Sequence, residues 1–81
     1  GIDNRDGRIE AGAGLRARAT DGFDNSRGLL RAGAALDLTA DSLTNADTLG
    51  VDQGVEGDTI AITADRIDNR GGAMRADTAL A

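Results

Sequence analysis

The sequence contains no histidine, lysine, cysteine, proline, tryptophan or tyrosine, and Phe23 is its only aromatic residue. The absence of cysteine excludes disulfides, so cysteine usage does not indicate a redox compartment. The usual general bases and nucleophiles are missing, and Ser26 and Ser42 have no base to activate them. Paired carboxylates can hydrolyse glycosides, but here the acids recur in turns without a unique pair. We therefore expect no enzymatic activity and no cofactor.

Large apolar side chains are also scarce, since 15 of the 32 hydrophobic residues are alanine. In a compact globule of 81 residues, such a composition would give a thin and poorly packed core. The composition therefore leaves either a disordered chain or an architecture with a narrow interior. The chain lacks an initiator methionine and stops within a repeated pattern, so we expect it to be part of a longer protein.

Positive charge is limited to nine arginines, against fourteen acidic residues, which gives a net charge of −5. This balance argues against a nucleic-acid partner, which usually requires a basic face, and against anionic membrane surfaces. No apolar stretch is long enough for a signal peptide or a membrane span. We therefore predict no nucleic-acid partner and no membrane insertion.

A repeat runs through the whole chain, and each unit begins with an apolar anchor followed two residues later by asparagine. The clearest copies are "GIDNRDGRI" near the N-terminus and "RIDNRGGAM" near the C-terminus. The first anchors are Ile2, Phe23, Leu43 and Ile67, and the asparagines are Asn4, Asn25, Asn45 and Asn69. A second apolar run contributes Leu15, Leu36, Leu38, Ile60 and Ile62. We divide residues 1–81 into coils 1–21, 22–41, 42–65 and an incomplete 66–81 of one repeat segment.

Apolar positions within each unit alternate with a period of two, which is typical of strands. One such unit cannot bury its apolar face alone, whereas stacked units can. The sequence therefore predicts an all-β parallel β-helix, a solenoid of about four coils of 20–24 residues. Each coil would contain three short strands, and the stack would be roughly 20 Å tall.

Four asparagines on the same side as the anchors would point inward and form a hydrogen-bonded ladder along the axis. The glycines at Gly7, Gly28 and Gly72 would supply turns that need φ > 0. The third unit carries about four extra residues, which we place within Val51–Gly57. This alignment puts Gly50 and Asp52 at the positions that hold Leu30 and Ala32 in the second unit.

Charged residues fall on the outward positions of this repeat. Asp6, Arg27 and Asp47 alternate in sign from coil to coil, and Glu10 and Arg31 are predicted neighbours, as are Arg16 and Asp37. The aspartates that follow the anchors, Asp3, Asp24 and Asp68, are predicted to face solvent.

The repeat resembles those of filamentous haemagglutinin-type proteins, which are very large exoproteins of Gram-negative bacteria exported by two-partner secretion. The resemblance rests on "GIDNRDGRIEAGAGL", "GFDNSRGLLRAGAALDLTA" and "RIDNRGGAMRADTAL", and it covers essentially the whole chain. It implies a right-handed parallel β-helix and a secreted or cell-surface adhesin involved in virulence. The third unit matches only at its ends.

Several features could instead be binding sites. Asp21, Asp41 and Asp65 form a like-charged column that either caps turns or holds calcium. The segment Gly12–Ala19 lacks the lysine and the helix of a phosphate-binding loop, so a turn is the better interpretation. The Val51–Gly57 insertion could be a binding loop, although a tolerated bulge is favoured. The arginines could bind sulfated glycans, but acids lie between them.

We expect a structural function, in which the segment is a stiff shaft that holds binding regions away from the bacterial surface during attachment to host cells. Its partners would be neighbouring repeats of the same chain, and host glycans or receptors would bind through the parent protein. The alternatives are a repeat that itself binds carbohydrate or a receptor, and the stalk of a contact-dependent toxin. No metal site is assigned.

Overall fold

The computed structural model describes residues 1–80 of the chain, and in that range it consists of strands without helix. Accordingly, no helix in this range is long and apolar enough to cross a membrane. The strands are β1 Ile2–Asp3, β2 Arg8–Ala11, β3 Leu15–Arg18, β4 Gly22–Asp24, β5 Leu29–Ala32, β6 Ala35–Thr39, β7 Ser42–Thr44, β8 Gly54–Thr63, β9 Arg66–Asp68 and β10 Met74–Leu80.

Every strand pairs in parallel with a strand of the adjacent coil. One sheet has the order β1-β4-β7-β9, and the second contains β2-β5-β8-β6-β3 with β10 paired to β8. The chain therefore winds through four stacked coils, which confirms the predicted all-β parallel β-helix. Its principal extents are 25 × 25 × 18 Å, close to the height expected from strand spacing.

Equivalent residues of successive coils stack in columns that fill the interior. The first anchor column is Ile2, Phe23, Leu43 and Ile67, in register along the first sheet. In the second sheet, Leu36 pairs with both Leu15 and Ile60. The core lies in the two middle coils, where Phe23, Leu36 and Leu43 are each 1% exposed. The narrow interior combines these large side chains with small ones such as Ala32 and Ala40, and therefore accommodates a sequence rich in alanine.

The predicted core anchors of the outer coils are less buried than expected. Ile67 is 51% exposed, and the expectation that it belongs to the core is wrong for this structure. Ile2 and Leu15 of the first coil are partly buried against the core, as is Ile62 near the end of the third coil. Ile67 occupies the anchor column, but no further coil covers it within the described residues.

The prediction of three strands per coil holds for the first two coils only. In the third coil, β8 runs for 10 residues and replaces the second and third strands, and β10 does the same in the fourth. Pairing shows that Val55 and Ile60 are separated by one residue fewer than their partners Leu30 and Leu36. In the third coil this shorter connection leaves no residue for a bend, so β8 continues, whereas β10 continues through a register shift between Ala76 and Ala79.

The insertion of the third coil lies earlier than predicted. Gly54 pairs with Leu29 at the start of β8, so the extra residues are 49–53 and not Val51–Gly57. Val55 occupies the interior position assigned to Gly50, and Gly57 occupies the position assigned to Asp52. We call residues 49–53 the inserted loop. Both Gly54 and Gly57 are buried, which a protruding segment would not allow.

Candidate functional site

The four repeated asparagines form a continuous column of side-chain hydrogen bonds. The amide Nδ2 of Asn4 donates to Oδ1 of Asn25 at 2.7 Å. Asn25 donates in the same way to Asn45 at 2.9 Å, and Asn45 donates to Asn69 at 2.8 Å. We call this column the asparagine ladder. The structure thus brings together residues that are 20 to 24 positions apart in the sequence.

The amides of the first three ladder asparagines also bind a backbone carbonyl of the following coil. Asn4 Nδ2 donates to the carbonyl of Leu29 at 2.9 Å, and Asn45 Nδ2 donates to that of Ala73 at 2.9 Å. Asn25 and Asn45 are fully buried, and no buried side-chain polar atom within residues 1–80 lacks a partner. A buried amide without partners would destabilise the fold, so complete pairing is what makes these positions tolerable.

The ladder has a direction. The carbonyl contacts require a donor, which places Nδ2 of the first three asparagines toward the C-terminal coil and Oδ1 toward the N-terminal coil. Asn69, which is exposed, donates to the carbonyl of Gly72 in its own coil at 3.3 Å. The two ends of the ladder are therefore chemically different, with an acceptor at one end and a donor at the other.

The repeat glycines are required for close approach rather than for positive φ. A Cβ added to Gly28 would lie 2.2 Å from the carbonyl oxygen of Asn4, and one on Gly72 would lie 1.9 Å from that of Asn45. A Cβ on Gly7 would lie 2.5 Å from Oδ1 of Asn4. Neither Gly7 nor Gly28 nor Gly72 adopts a positive φ, which corrects the predicted reason for their presence.

The left-handed backbone conformation falls on the residue before each of these positions. Asp6, Arg27 and Asp47 have φ of 56°, 58° and 57°, and Gly71 has 58°. Aspartate tolerates this conformation better than most residues, whereas arginine does not share that preference. The residue two positions after the ladder asparagine is therefore left-handed in every coil, and it is strained most at Arg27, whereas Gly71 adopts the conformation without strain.

Thr48 replaces the repeat glycine in the third coil and takes over a structural role. Its hydroxyl is fully buried, donates to the carbonyl of Asn45 at 3.3 Å and accepts the N–H of Ala73 at 2.9 Å. The inserted loop begins directly after Thr48 and takes the chain along a path that differs from that of the second coil. A side chain therefore fits at Thr48, whereas backbone occupies the corresponding space beside Gly28. The repeat alignment located Thr48 but not this bridge to the fourth coil.

The aspartates after the anchors are not merely solvent-facing. Asp3 accepts the backbone N–H of Arg5 at 3.0 Å and two hydrogen bonds from its guanidinium at 2.9 and 2.8 Å. Asp68 and Arg70 repeat the arrangement. The hydrogen bonds from Arg5 lower the pKa of Asp3 to about 2. The twice-repeated Asp-Asn-Arg was the sequence signal for this turn, since short side chains often cap backbone two residues on.

Outward charges pair along the coil axis. Arg27 binds Asp6 at 2.8 Å, and the pKa of Asp6 is lowered by that hydrogen bond. The predicted neighbours Arg16 and Asp37 lie 3.9 Å apart, as do Arg31 and Glu10. Such exposed pairs contribute little to stability, because solvent screens their attraction. Their alternation nevertheless prevents like charges from lying opposite each other on adjacent strands, which are about 4.8 Å apart.

One charged column is longer than the sequence alignment indicated. Because Val55 and not Gly50 lies beside Leu30, Glu56 lies beside Arg31, and Arg75 lies beside Glu56. Arg31 binds Glu56 at 2.8 Å, and Arg75 also binds Glu56. Burial alone would raise the pKa of Glu56, but the hydrogen bonds from Arg75 and Arg31 outweigh it and lower the pKa. We call Glu10, Arg31, Glu56 and Arg75 the alternating column.

The inserted loop returns to this column. Asp52, at φ 57°, binds Arg31 at 3.1 Å and Arg8 at 3.5 Å. Leu49 and Val51 on the same loop are 73% and 93% exposed. The ion pairs of Asp52 therefore hold the loop to the stack of coils, while the apolar side chains of the loop face outward.

The other candidate sites find little support in the geometry. The column of Asp21, Asp41 and Asp65 is joined by backbone hydrogen bonds, and residues 1–80 contain no cluster of three or more acidic side chains arranged to hold a metal ion. The start of Gly12–Ala19 is a bend between β2 and β3 with no helix after it. Within the described chain, seven of the nine arginines lie in ion pairs, and only Arg18 and Arg66 have no acidic partner within 4.0 Å.

The chain was compared with family models, curated proteins and solved structures, and none of the three comparisons gives a significant match.

Proposed function

We propose that this chain is a shaft segment, a stack of coils whose role is to be long and stiff within a longer protein. The observation that carries the proposal is the asparagine ladder, which joins all four coils through buried amides at 2.7–2.9 Å. The repeat glycines allow the backbone of one coil to approach the next closely, and the Asp-Arg turns fix the backbone within single coils. The residues that recur most regularly are therefore those that maintain stacking.

The resemblance of the repeat supports a more specific proposal. The shaft would belong to a filamentous haemagglutinin-type adhesin that is secreted by Gram-negative bacteria and displayed at the cell surface. Its partners would be the neighbouring repeats, while host-cell glycans or receptors bind other regions of the parent protein. The stalk of a contact-dependent toxin would place the same demands on the segment. We propose no catalytic role for it.

The second candidate is direct binding of a receptor or carbohydrate by this segment. The inserted loop favours it, since Leu49 and Val51 are exposed side chains that do not contribute to stacking. A sugar would find no exposed aromatic ring among the described residues, because Phe23 is buried. A protein receptor is therefore the better partner for this alternative.

Two measurements on the same preparations test the shaft. Two copies joined in tandem should melt at a higher temperature than one, and scattering should show a particle elongated by roughly 20 Å per copy. Binding to immobilised glycans and to erythrocytes should be absent, and a Leu49→Ser, Val51→Ser chain should behave as wild type. Binding that is lost in this double variant would favour the receptor module, and an unchanged melting temperature for the tandem would contradict the shaft.

A further inference from the structure

Leu29 is an apolar side chain on the outer face of the coil stack. It pairs with Arg8 of the first coil, whose side chain is 58% exposed, and with Gly54 of the third coil. The next residue, Leu30, belongs to the interior core, and successive residues of a strand point to opposite faces. Leu29 is nevertheless only 1% exposed. Its burial therefore comes from a segment outside the coils and not from their interior.

The inserted loop is the segment that covers this leucine. Asp52 of the loop binds Arg31 at 3.1 Å and Arg8 at 3.5 Å, and both arginines lie on the same outer face as the leucine. Nε2 of Gln53 donates to the carbonyl of Arg27, two residues before the leucine, at 3.3 Å. These contacts, on either side of the leucine, hold the loop across it.

Backbone hydrogen bonds fix the two ends of the loop but not its middle. Before the loop, Thr48 donates to the carbonyl of Gly71 at 2.9 Å, and after it Gly54 donates to that of Gly28 at 2.7 Å. Among residues 1–80, no hydrogen bond between backbone groups joins residues 49–53 to another coil. The middle of the loop is therefore fastened through side chains, and its movement would leave the hydrogen bonds between strands intact.

The fastening can be released at low cost. The side chains of Asp52, Arg31 and Arg8 are 36–58% exposed, and ion pairs at that exposure are weakened by dissolved salt. Both arginines also have a second acidic partner on the strands, since Arg31 binds Glu56 at 2.8 Å and Arg8 binds Glu10 at 3.1 Å. Release of the aspartate therefore leaves neither arginine without an ion pair.

We propose that the inserted loop is a lid that opens and closes over Leu29 while the coils stay folded, and that the ion pairs of Asp52 hold it closed. The closed lid conceals an apolar side chain on the flank of the stack. The open lid adds that side chain to the apolar surface of Leu49 and Val51, which are exposed already. Such local opening requires less free energy than unfolding of the coils. The inference rests on the stacked coils and not on their role as a shaft.

Thiol labelling tests the lid, because the native chain has no cysteine. Leu29→Cys places a thiol beneath the loop, Leu30→Cys places one in the interior, and Leu49→Cys places one on the exposed part of the loop. With an aromatic disulfide reagent, the thiol at position 29 should react more slowly than that at position 49 and faster than that at position 30. Asp52→Asn, or added sodium chloride, should raise the rate for Leu29→Cys by about three- to tenfold and leave that for Leu30→Cys unchanged.

Asp47→Asn is the matched control. Asp47 and Asp52 both have φ of 57°, and asparagine tolerates this conformation, so each replacement removes a charge without adding backbone strain. Asp47 lies before the loop and is not the partner of Arg8 or Arg31, so its replacement should leave the labelling rates unchanged.

Three results would overturn the lid. The thiol of Leu29→Cys could react no faster than that of Leu30→Cys, which would mean that only unfolding of the coils exposes it. It could react as fast as that of Leu49→Cys, which would mean that the loop does not cover it. Its rate could also be the same with and without Asp52→Asn, which would mean that the ion pairs do not hold the loop.

A second readout keeps the native leucine and applies even where Leu29→Cys does not fold. Relaxation of methyl groups by a soluble paramagnetic probe should increase at Leu29 and not at Leu30 when Asp52 is replaced by asparagine, and an unchanged Leu29 would contradict the lid. Circular dichroism separates this failure from failure of the shaft. A folded chain with an unresponsive Leu29 loses the lid alone, whereas a chain without strand structure loses both.

Discussion

Replacement of Asn25 by leucine tests the asparagine ladder at its most buried point. Asn25 accepts from Asn4 at 2.7 Å and donates to Oδ1 of Asn45 at 2.9 Å and to the carbonyl of Gly54 at 3.1 Å. Leucine has a similar volume but can neither donate nor accept. The variant therefore leaves the oxygens of Asn45 and Gly54 without this donor, in an interior that water does not reach.

The magnitude follows from these contacts. Each buried polar atom left without its partner costs about 1–3 kcal/mol, and the lost contact to Asn4 adds about 1 kcal/mol because that amide keeps the carbonyl of Leu29. Burial of the apolar leucine side chain stabilises the folded variant by about 1.5–3 kcal/mol, which offsets part of this loss. We expect a net loss of about 2–4 kcal/mol in the free energy of unfolding. For a chain of this length, that loss lowers the melting temperature by roughly 10–30 °C.

Asn69→Leu is the matched control. Asn69 is exposed; it accepts the amide of Asn45 at 2.8 Å and donates to Gly72 in its own coil. The Asn45 amide keeps the carbonyl of Ala73, so the variant should cost about 1 kcal/mol, less than Asn25→Leu. The assay is urea denaturation of both variants, followed by far-ultraviolet circular dichroism. If Asn25→Leu unfolds at the same urea concentration as Asn69→Leu, the argument that buried amides hold the coils together is refuted.

Two further substitutions test the turn and the charges. Gly28→Ala should destabilise the chain by about 1–3 kcal/mol, because its Cβ would lie 2.2 Å from the carbonyl of Asn4. Gly12→Ala, with nothing within 4 Å, should be neutral or slightly stabilising in the same urea titration, and equal effects would contradict the close-approach argument. The hydrogen bonds from Arg5 lower the pKa of Asp3 from 3.8 in the unfolded chain to about 2 in the folded chain. The ionised Asp3 carboxylate therefore stabilises the fold above the unfolded-state pKa, and this stabilisation is lost as the pH falls through the folded-state pKa. The difference in melting temperature between wild type and Asp3→Asn should therefore shrink between about pH 5 and about pH 2, and a difference that grows on acidification would contradict it.

The interior of the coils could be predicted from the sequence because its pattern is local and repeated. Period-two alternation identifies the strands, and an asparagine at the same offset in four units has few explanations other than a stacked column. Phe23, Leu36 and Leu43 are buried where the pattern places them. The open ends reduce the burial of Ile67, since a repeat pattern carries no information about which coils have a neighbour on both sides.

Other features depend on distances between coils that no single unit encodes. The third coil contains both glycines and apolar residues after Asn45, so its sequence permits two alignments, and only the pairing of Gly54 with Leu29 selects one. The alternating column was missed for the same reason, because Glu56 is recognised as the partner of Arg31 only after that alignment is corrected. The reason for Gly28 likewise lies in the carbonyl of another coil.

Cysteine cross-linking between coils tests the parallel, in-register stacking most directly, because the native chain has no cysteine. Arg18 pairs with Thr39 across adjacent coils, and both side chains are exposed. Arg18→Cys with Thr39→Cys should form a disulfide readily under mild oxidation, since directly opposed residues on neighbouring strands are about 5 Å apart. Arg16→Cys with Thr39→Cys places the thiols two residues out of register and should cross-link poorly. Efficient cross-linking of the first pair alone is the predicted result, and equal yields for both pairs, or none for the first, would contradict the stacked β-helix.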